Sequence, residues 1–237
     1  MATLQPRPEY EALARDFRAL AAPFDLRVDD AVERDLALVA TAFEATDRHV
    51  DATPDAVERG ELCAAVLRVL REGREDERVT GDLSQALSTL RAHLRRLGAV
   101  DGFTGHLARF FVRTETLRLT RSGAEYLRCI VDEARAAAHM TLIAVPAVAI
   151  PRFGRFFLVL SEIANLVDKL HDVRGDHARG EIAVRPGIVL HLRLLAAFAR
   201  RVPVLLSLTP RPLRLVAWGM RYVLPRKAPS WPGEWSR

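Results

Sequence analysis

The stretch NLVDKLHDVRGDHARGE, residues 165–181, sets Asp168, Asp172 and Asp176 four residues apart. Like charges at that spacing sit side by side on a helix and repel one another. A chain keeps them together where water screens them or where a cation binds. At about 100° per residue the three carboxylates fall within roughly 80° of one face, with Glu162 at its edge. Leu166, Val167, Leu170 and Val173 point in other directions and can pack. A second pair stands in EATDRHVD, where Asp47 and Asp51 are again four apart and Glu44 precedes them by three. Carboxylates are hard oxygen ligands, and Mg²⁺ takes one or two from a protein before filling its shell with water and substrate phosphates. Two such walls, on separate helices facing each other, would hold Mg²⁺ over a diphosphate and stabilise the charge of its departure. The alternative for either pair taken alone is a solvated helix face whose acids pair with neighbouring Arg and Lys.

The elements that must position these residues read almost entirely at helical period. In DDAVERDLALVATAFEATDRHVDA, Leu36, Val39, Ala40 and Phe43 form one apolar stripe, with Asp29 or Asp30 as the expected cap. Thr53-Pro54-Asp55 ends that helix, and DAVERGELCAAVLRVLREG begins the next. REGREDERVTGD reads as a charged loop, and LSQALSTLRAHLRRLGAV as a helix stopped by Gly98. DGFTGHLARFFVRTETLRLT mixes loop-forming and apolar residues and leaves its structure open. Long helices are expected over RSGAEYLRCIVDEARAAAHMTLIAV and RFGRFFLVLSEIANLVDKLHDVRGDHARG, and further helices in GIVLHLRLLAAFARRVPVLLSL and RPLRLVAWGMRYVL. Strand signals are few. The expected fold is all-α, one domain over residues 1–224 followed by a basic tail with Pro and Trp over 225–237.

Composition sets the outer bounds. The 237 residues are 49% hydrophobic and 27% charged, which suits a chain with a sizeable core. Cys63 and Cys129 are the only cysteines, without the spacing of a zinc site or a disulfide scaffold, so a reducing, cytoplasmic compartment is expected. MTLIAVPAVAI is about half the length of a membrane span and is broken by Pro146. The net charge of +5 gathers towards the C-terminus, in RPLRLVAWGMRYVLPRKAPSWPGEWSR, a stretch suited to peripheral contact with an acidic lipid surface. Arginines spread among apolar helices, rather than gathered with aromatics, argue against nucleic acid.

The stretch DKLHDVRGDHARGEIAVRP resembles the second aspartate motif of the squalene/phytoene synthase family, within the class I isoprenoid synthases. That motif runs Asn-x-x-x-Asp-Val-x-x-Asp, then Arg-Gly and, a few residues on, Pro. Asp172, Val173, Asp176, Arg179 and Gly180 match it, and Pro186 matches with a slip of about one residue. Asp47 and Asp51 match the family's first Asp-x-x-x-Asp. Asp168 replaces the family's Asn, Gly175 stands where a carboxylate is frequent, and Glu181 where a basic residue is frequent. The resemblance covers these two short motifs.

It implies a helical bundle of the class I isoprenoid synthase type and a Mg²⁺-dependent terpene synthase or prenyltransferase acting on a prenyl diphosphate. Metal would lie on Asp47 and Asp51 at one wall and on Asp168, Asp172 and Asp176 at the other. Asp47, Asp51, Asp172 and Asp176 would be the catalytic residues. Lys169, Arg179, Arg121 and Arg128 would supply cations to the diphosphate, arginine through its planar fork. A dry pocket would guide the allylic cation, with Phe43, Phe110, Phe111, Phe153, Phe156 and Phe157 as candidate ring faces. A homodimer is a further expectation. Two other readings compete. One is a metal-dependent phosphohydrolase built on His171-Asp172 with His49, His93, His106 or His139. The other is a non-catalytic or membrane-associated helical homologue, which the departures at Gly175 and Glu181 would suit.

Overall fold

The computed structural model of the chain describes residues 16–213 and 215. The boundary expected at residue 224 and the tail 225–237 lie outside these residues. A short helix α1 (residues 16–21) runs into a 3-10 turn, Ala22–Phe24. Seven longer helices follow: α2 Asp30–Asp51, α3 Ala56–Glu72, α4 Gly81–Arg96, α5 Val100–Leu119, α6 Gly123–Ala144, α7 Pro151–Ala178 and α8 Ile188–Leu208. A second 3-10 turn, Pro146–Val148, separates α6 from α7. Among the described residues there is no strand, and the fold is all-α.

Local chemistry explains where the helices begin and end. Asp29 caps α2 by accepting from the backbone N–H groups of Ala31 and Val32, and Asp55 caps α3 in the same way through Val57 and Glu58. Gly73 closes α3 at φ +72°, a left-handed turn natural to glycine. A side chain there would also run into the guanidinium of Arg91, which lies over the turn and donates to the Leu70 carbonyl. The segment left open by its sequence, Val100–Leu119, is one continuous helix, α5. Its glycines and threonines are poor helix formers. Thr104, Thr114 and Thr116 turn their hydroxyls back onto carbonyls one turn earlier, while Phe103, Leu107 and Leu117 are buried. Packing decides its state.

Cross-links between neighbours set the directions. Arg59 of α3 pairs with Glu115 of α5 and Arg71 with Thr104, so these two helices are antiparallel. Arg48 of α2 pairs with Asp82 of α4, and His93 of α4 lies 3.6 Å from Asp35, so α2 and α4 are antiparallel too. Thr114 on Glu133 sets α6 against α5, Asn165 on the Ile130 carbonyl sets α7 against α6, and Arg201 on Glu162 sets α8 against α7. Two apolar clusters fill the interior. The larger joins α2, α3 and α4 to Met140 and Ala144 of α6 and Phe153 and Phe156 of α7. The smaller holds Tyr126, Cys129 and Ile130 of α6, Leu166 and Val173 of α7, and Leu190 and Leu194 of α8. Each fully buried Leu or Phe contributes about 1.5–3 kcal/mol over its exposed form.

Candidate functional site

Helices α2 and α5 run in parallel and carry matched ladders at four-residue steps. On α2 the rungs are Phe43, Asp47 and Asp51, and on α5 they are Phe110, Thr114 and Arg118. Phe43 and Phe110 meet edge to face at 6.0 Å, with Phe111 against Phe110 and Phe103 against Phe43. At the other end Asp51 pairs with Arg118. Between them lie Asp47 and Thr114, and Thr114 donates 2.6 Å to Glu133 of α6. The ladders thus climb from an aromatic floor through a polar middle to a charged rim.

Asp47 is the unusual rung. It is open to water at the surface, yet protein closes around it enough that burial pushes its carboxyl up to about 6. The Asp51 and Glu133 charges add to the rise, and Arg118 and Lys169 ease it. Among the described residues Asp47 has neither a hydrogen bond nor an ion pair.

The second wall is the end of α7. Asp168 and Asp172 are exposed and Asp176 is buried. Lys169 lies among them, its ammonium 3.6 Å from Asp168 and 3.8 Å from Asp176. Burial pulls the Lys169 pKa down, but Asp168, Glu133, Asp176 and Asp172 together outweigh it and leave it above the usual lysine value. Burial raises the Asp176 carboxyl, and Glu181 and Asp172 add to the rise against Lys169 and Arg179. Asp172, like Asp47, has no hydrogen bond or ion pair among the described residues. Lys169 acts on Asp47 of α2 as well as on its α7 neighbours Asp168, Asp172 and Asp176, and Glu133 acts on both Asp47 and Lys169.

Three groups here lie outside the sequence motifs. Glu133 is held by Thr114 and by Asn165, whose amide donates 3.1 Å to it and 2.9 Å to the Ile130 carbonyl. Arg118 is the rim cation. Tyr126 of α6 is fully buried, and its hydroxyl finds no hydrogen-bond partner among the described residues. Burial, then the charge of Asp176, holds that phenol protonated well beyond its ordinary range. The four-step pattern Phe110–Thr114–Arg118 was the available sequence signal for Arg118. Glu133 stands among other charged residues of α6, and neither it nor Tyr126 has a distinguishing spacing.

Several expected residues have other surroundings. Arg179 is engaged by Asp176 at 2.6 Å and by Glu181 at 2.6 and 3.1 Å. Arg121 lines a groove with Arg185 and Arg193 in which no acidic residue takes part. Arg128 is exposed on α6. Glu162, expected at the edge of the acidic face, is buried and clasped by Arg135 and Arg201. Phe153, Phe156 and Phe157 pack with Phe17 and Phe24 at the start of α7. At 1.5 Å per residue that is about 35 Å along the helix from Asp176.

The histidines are dispersed. His93 bonds the Ala144 carbonyl at 2.7 Å, His49 lies near Asp82, His106 stacks on His139, and His171 is exposed. Among the described residues no three His, Cys, Asp or Glu side chains form a group that would ligate one metal ion by themselves. No described helix is long and apolar enough to cross a membrane. No family model matches the chain, and neither do the curated proteins or the solved structures compared with it.

Proposed function

We propose that the protein is a Mg²⁺-dependent enzyme of the class I isoprenoid synthase type, which ionises a prenyl diphosphate and cyclises, quenches or couples the resulting allylic cation. The observation that carries this reading is the provision made for Asp47 and Asp172. Among the described residues neither has a hydrogen bond or an ion pair, and Glu133 and Lys169 lie within electrostatic reach of Asp47 while Lys169 sits among the α7 carboxylates. A carboxylate hemmed in by protein and by other carboxylates is stabilised by a bound cation. The donor set fits Mg²⁺, since the oxygens are hard and a Mg²⁺ site needs only one or two from the protein. Asp47 and Asp51 of α2, and Asp168, Asp172 and Asp176 of α7, would hold it.

When bound, Mg²⁺ supplies positive charge to the leaving diphosphate. Lys169, beside Asp168 and Asp176, and Arg118, beside Asp51, would meet the diphosphate oxygens, with Arg179 joining them on release from Glu181. The allylic C–O bond breaks with its electron pair passing to the diphosphate. The cation left behind would lie towards Phe43, Phe110 and Phe111, whose ring faces stabilise positive charge. Loss of a proton, capture of water or attack by a second isoprenoid completes the reaction.

A second reading has its own observation. Lys169 already gives the α7 carboxylates an internal cation, and Glu181 already occupies Arg179. That arrangement also suits a helical homologue without the chemistry. One experiment separates the two. Purified protein is incubated with geranyl, farnesyl and geranylgeranyl diphosphate, with and without isopentenyl diphosphate, in Mg²⁺ or EDTA, and pyrophosphate is measured. Mg²⁺-dependent release supports the enzyme, and extraction of the same tubes identifies the product. Folded protein that releases none from any substrate favours the non-catalytic homologue.

A further inference from the structure

Helix α8 turns one face to the core and the opposite face to solvent, and the solvent face is apolar. Leu190, Leu194, Ala197 and Leu205 are buried, whereas Ile188 is 79% exposed and Leu192 59%. At about 100° per residue Ile188, Leu192, Leu195, Ala199 and Pro203 fall within roughly 80° of one another, a stripe along the helix. Arg193 and Arg200 border the stripe on one side, and α8 carries no acidic residue. Beside its first turn lies the arginine-lined groove, about 560 Å³ in volume, between the start of α8, the segment before it and the start of α6. Arg121, Arg185 and Arg193 line it, and Val189 continues the apolar stripe into it. None of the three arginines has a hydrogen bond or ion pair among the described residues.

We propose that this face of α8 docks on an anionic membrane surface. The apolar stripe would lie in the interfacial layer, and a lipid phosphate would enter the groove between Arg121, Arg185 and Arg193. A helix with an apolar face bordered by arginine binds such surfaces through buried apolar area and attraction to acidic headgroups. Guanidinium groups match phosphate oxygens with paired hydrogen bonds. Charge complementarity selects this occupant over the others. A second copy of the same face would set these arginines against one another. The chain's own residues 216–237 carry Arg221, Arg226, Lys227 and Arg237 against Glu234 alone, and would leave the groove unneutralised.

The test is flotation of the full chain with vesicles of phosphatidylcholine alone and of phosphatidylcholine with phosphatidylglycerol. Three proteins are compared: the parent, Leu192→Glu/Leu195→Glu, and Arg185→Gln/Arg193→Gln. The parent is expected to float with the anionic vesicles, less so in high salt, and to stay down with phosphatidylcholine alone. Each double variant is expected to lower the partition coefficient by about tenfold or more. Melting temperature checks the fold of both variants, and the arginine pair keeps the test open if the leucine pair unfolds. Failure of the parent to float, flotation of both variants like the parent, or flotation equally strong without phosphatidylglycerol would overturn the proposal. So would a parent dimer that the leucine variant converts to monomer, since a second copy would then cover the face.

Discussion

Glu162 and Asp47 are both carboxylates set on long helices, and the chain provides for them in opposite ways. Glu162 is buried on α7, and two arginines from two other helices, Arg135 and Arg201, meet its two oxygens. Its charge is answered in full. Asp47 is open to water, yet protein, Asp51 and Glu133 raise its carboxyl, and among the described residues it has no hydrogen bond or ion pair. Asp172 of α7 is exposed and has no hydrogen bond or ion pair among the described residues. The difference teaches how to read acidic residues in a bundle. A fully paired buried carboxylate ties helices together, and one left short of a partner favours a cation from solution.

That contrast can be broken at four points. The largest effect is expected from Asp172→Ala. Under the proposed function it takes pyrophosphate release to background with far-ultraviolet dichroism unchanged, and full activity would remove the α7 wall from the chemistry. Glu162→Ala should act on stability instead. It leaves two guanidinium groups without their shared partner and should cost about 3 kcal/mol, a fall in melting temperature of roughly 6–12 °C for a chain of this size. A variant as stable as the parent would show that the clasp ties nothing.

The Asp47 effect is read from pH. Its carboxyl titrates at about 6 when folded and at 3.8 in the reference state, so the folded chain holds the proton more tightly. Stability therefore rises as pH falls through 6, levels off below 3.8, and carries its penalty at neutral pH. Asp47→Asn should flatten that slope and melt higher than the parent at pH 7. Millimolar Mg²⁺ should raise the melting temperature of the parent more than that of the variant. The smallest change is Tyr126→Phe, which removes a buried hydroxyl that has no hydrogen-bond partner among the described residues. It should be neutral or stabilising by about 1 kcal/mol. Lost activity in a variant of unchanged stability would instead place that hydroxyl in the chemistry.

The sequence was most legible where a local rule governs. The cap at Asp29, the glycine stop after α4 at Gly98, and the long periods of α6 and α7 all follow from neighbouring residues. The sharing of one α7 face by Asp168, Asp172 and Asp176 was legible as a spacing, but their unequal burial was not, since it depends on what α6 places opposite. Glu162 falls on that face by its angle, and only the packing of α6 and α8 beside it shows that its partners are Arg135 and Arg201. α5 was unreadable because its glycines and threonines carry no helical preference of their own. The aromatic floor divides for a similar reason. Phe43 lies one turn from Asp47, whereas Phe153 and Phe156 are joined to the acidic end of their helix only through its length.

The two apolar clusters share their long helices, because α6 and α7 each contribute to both. Loss of one interior should therefore loosen the other, and the described bundle should disappear in a single cooperative step. The slowest amide protons to exchange with solvent should be those in the middle of α6, where opening one cluster means opening the other.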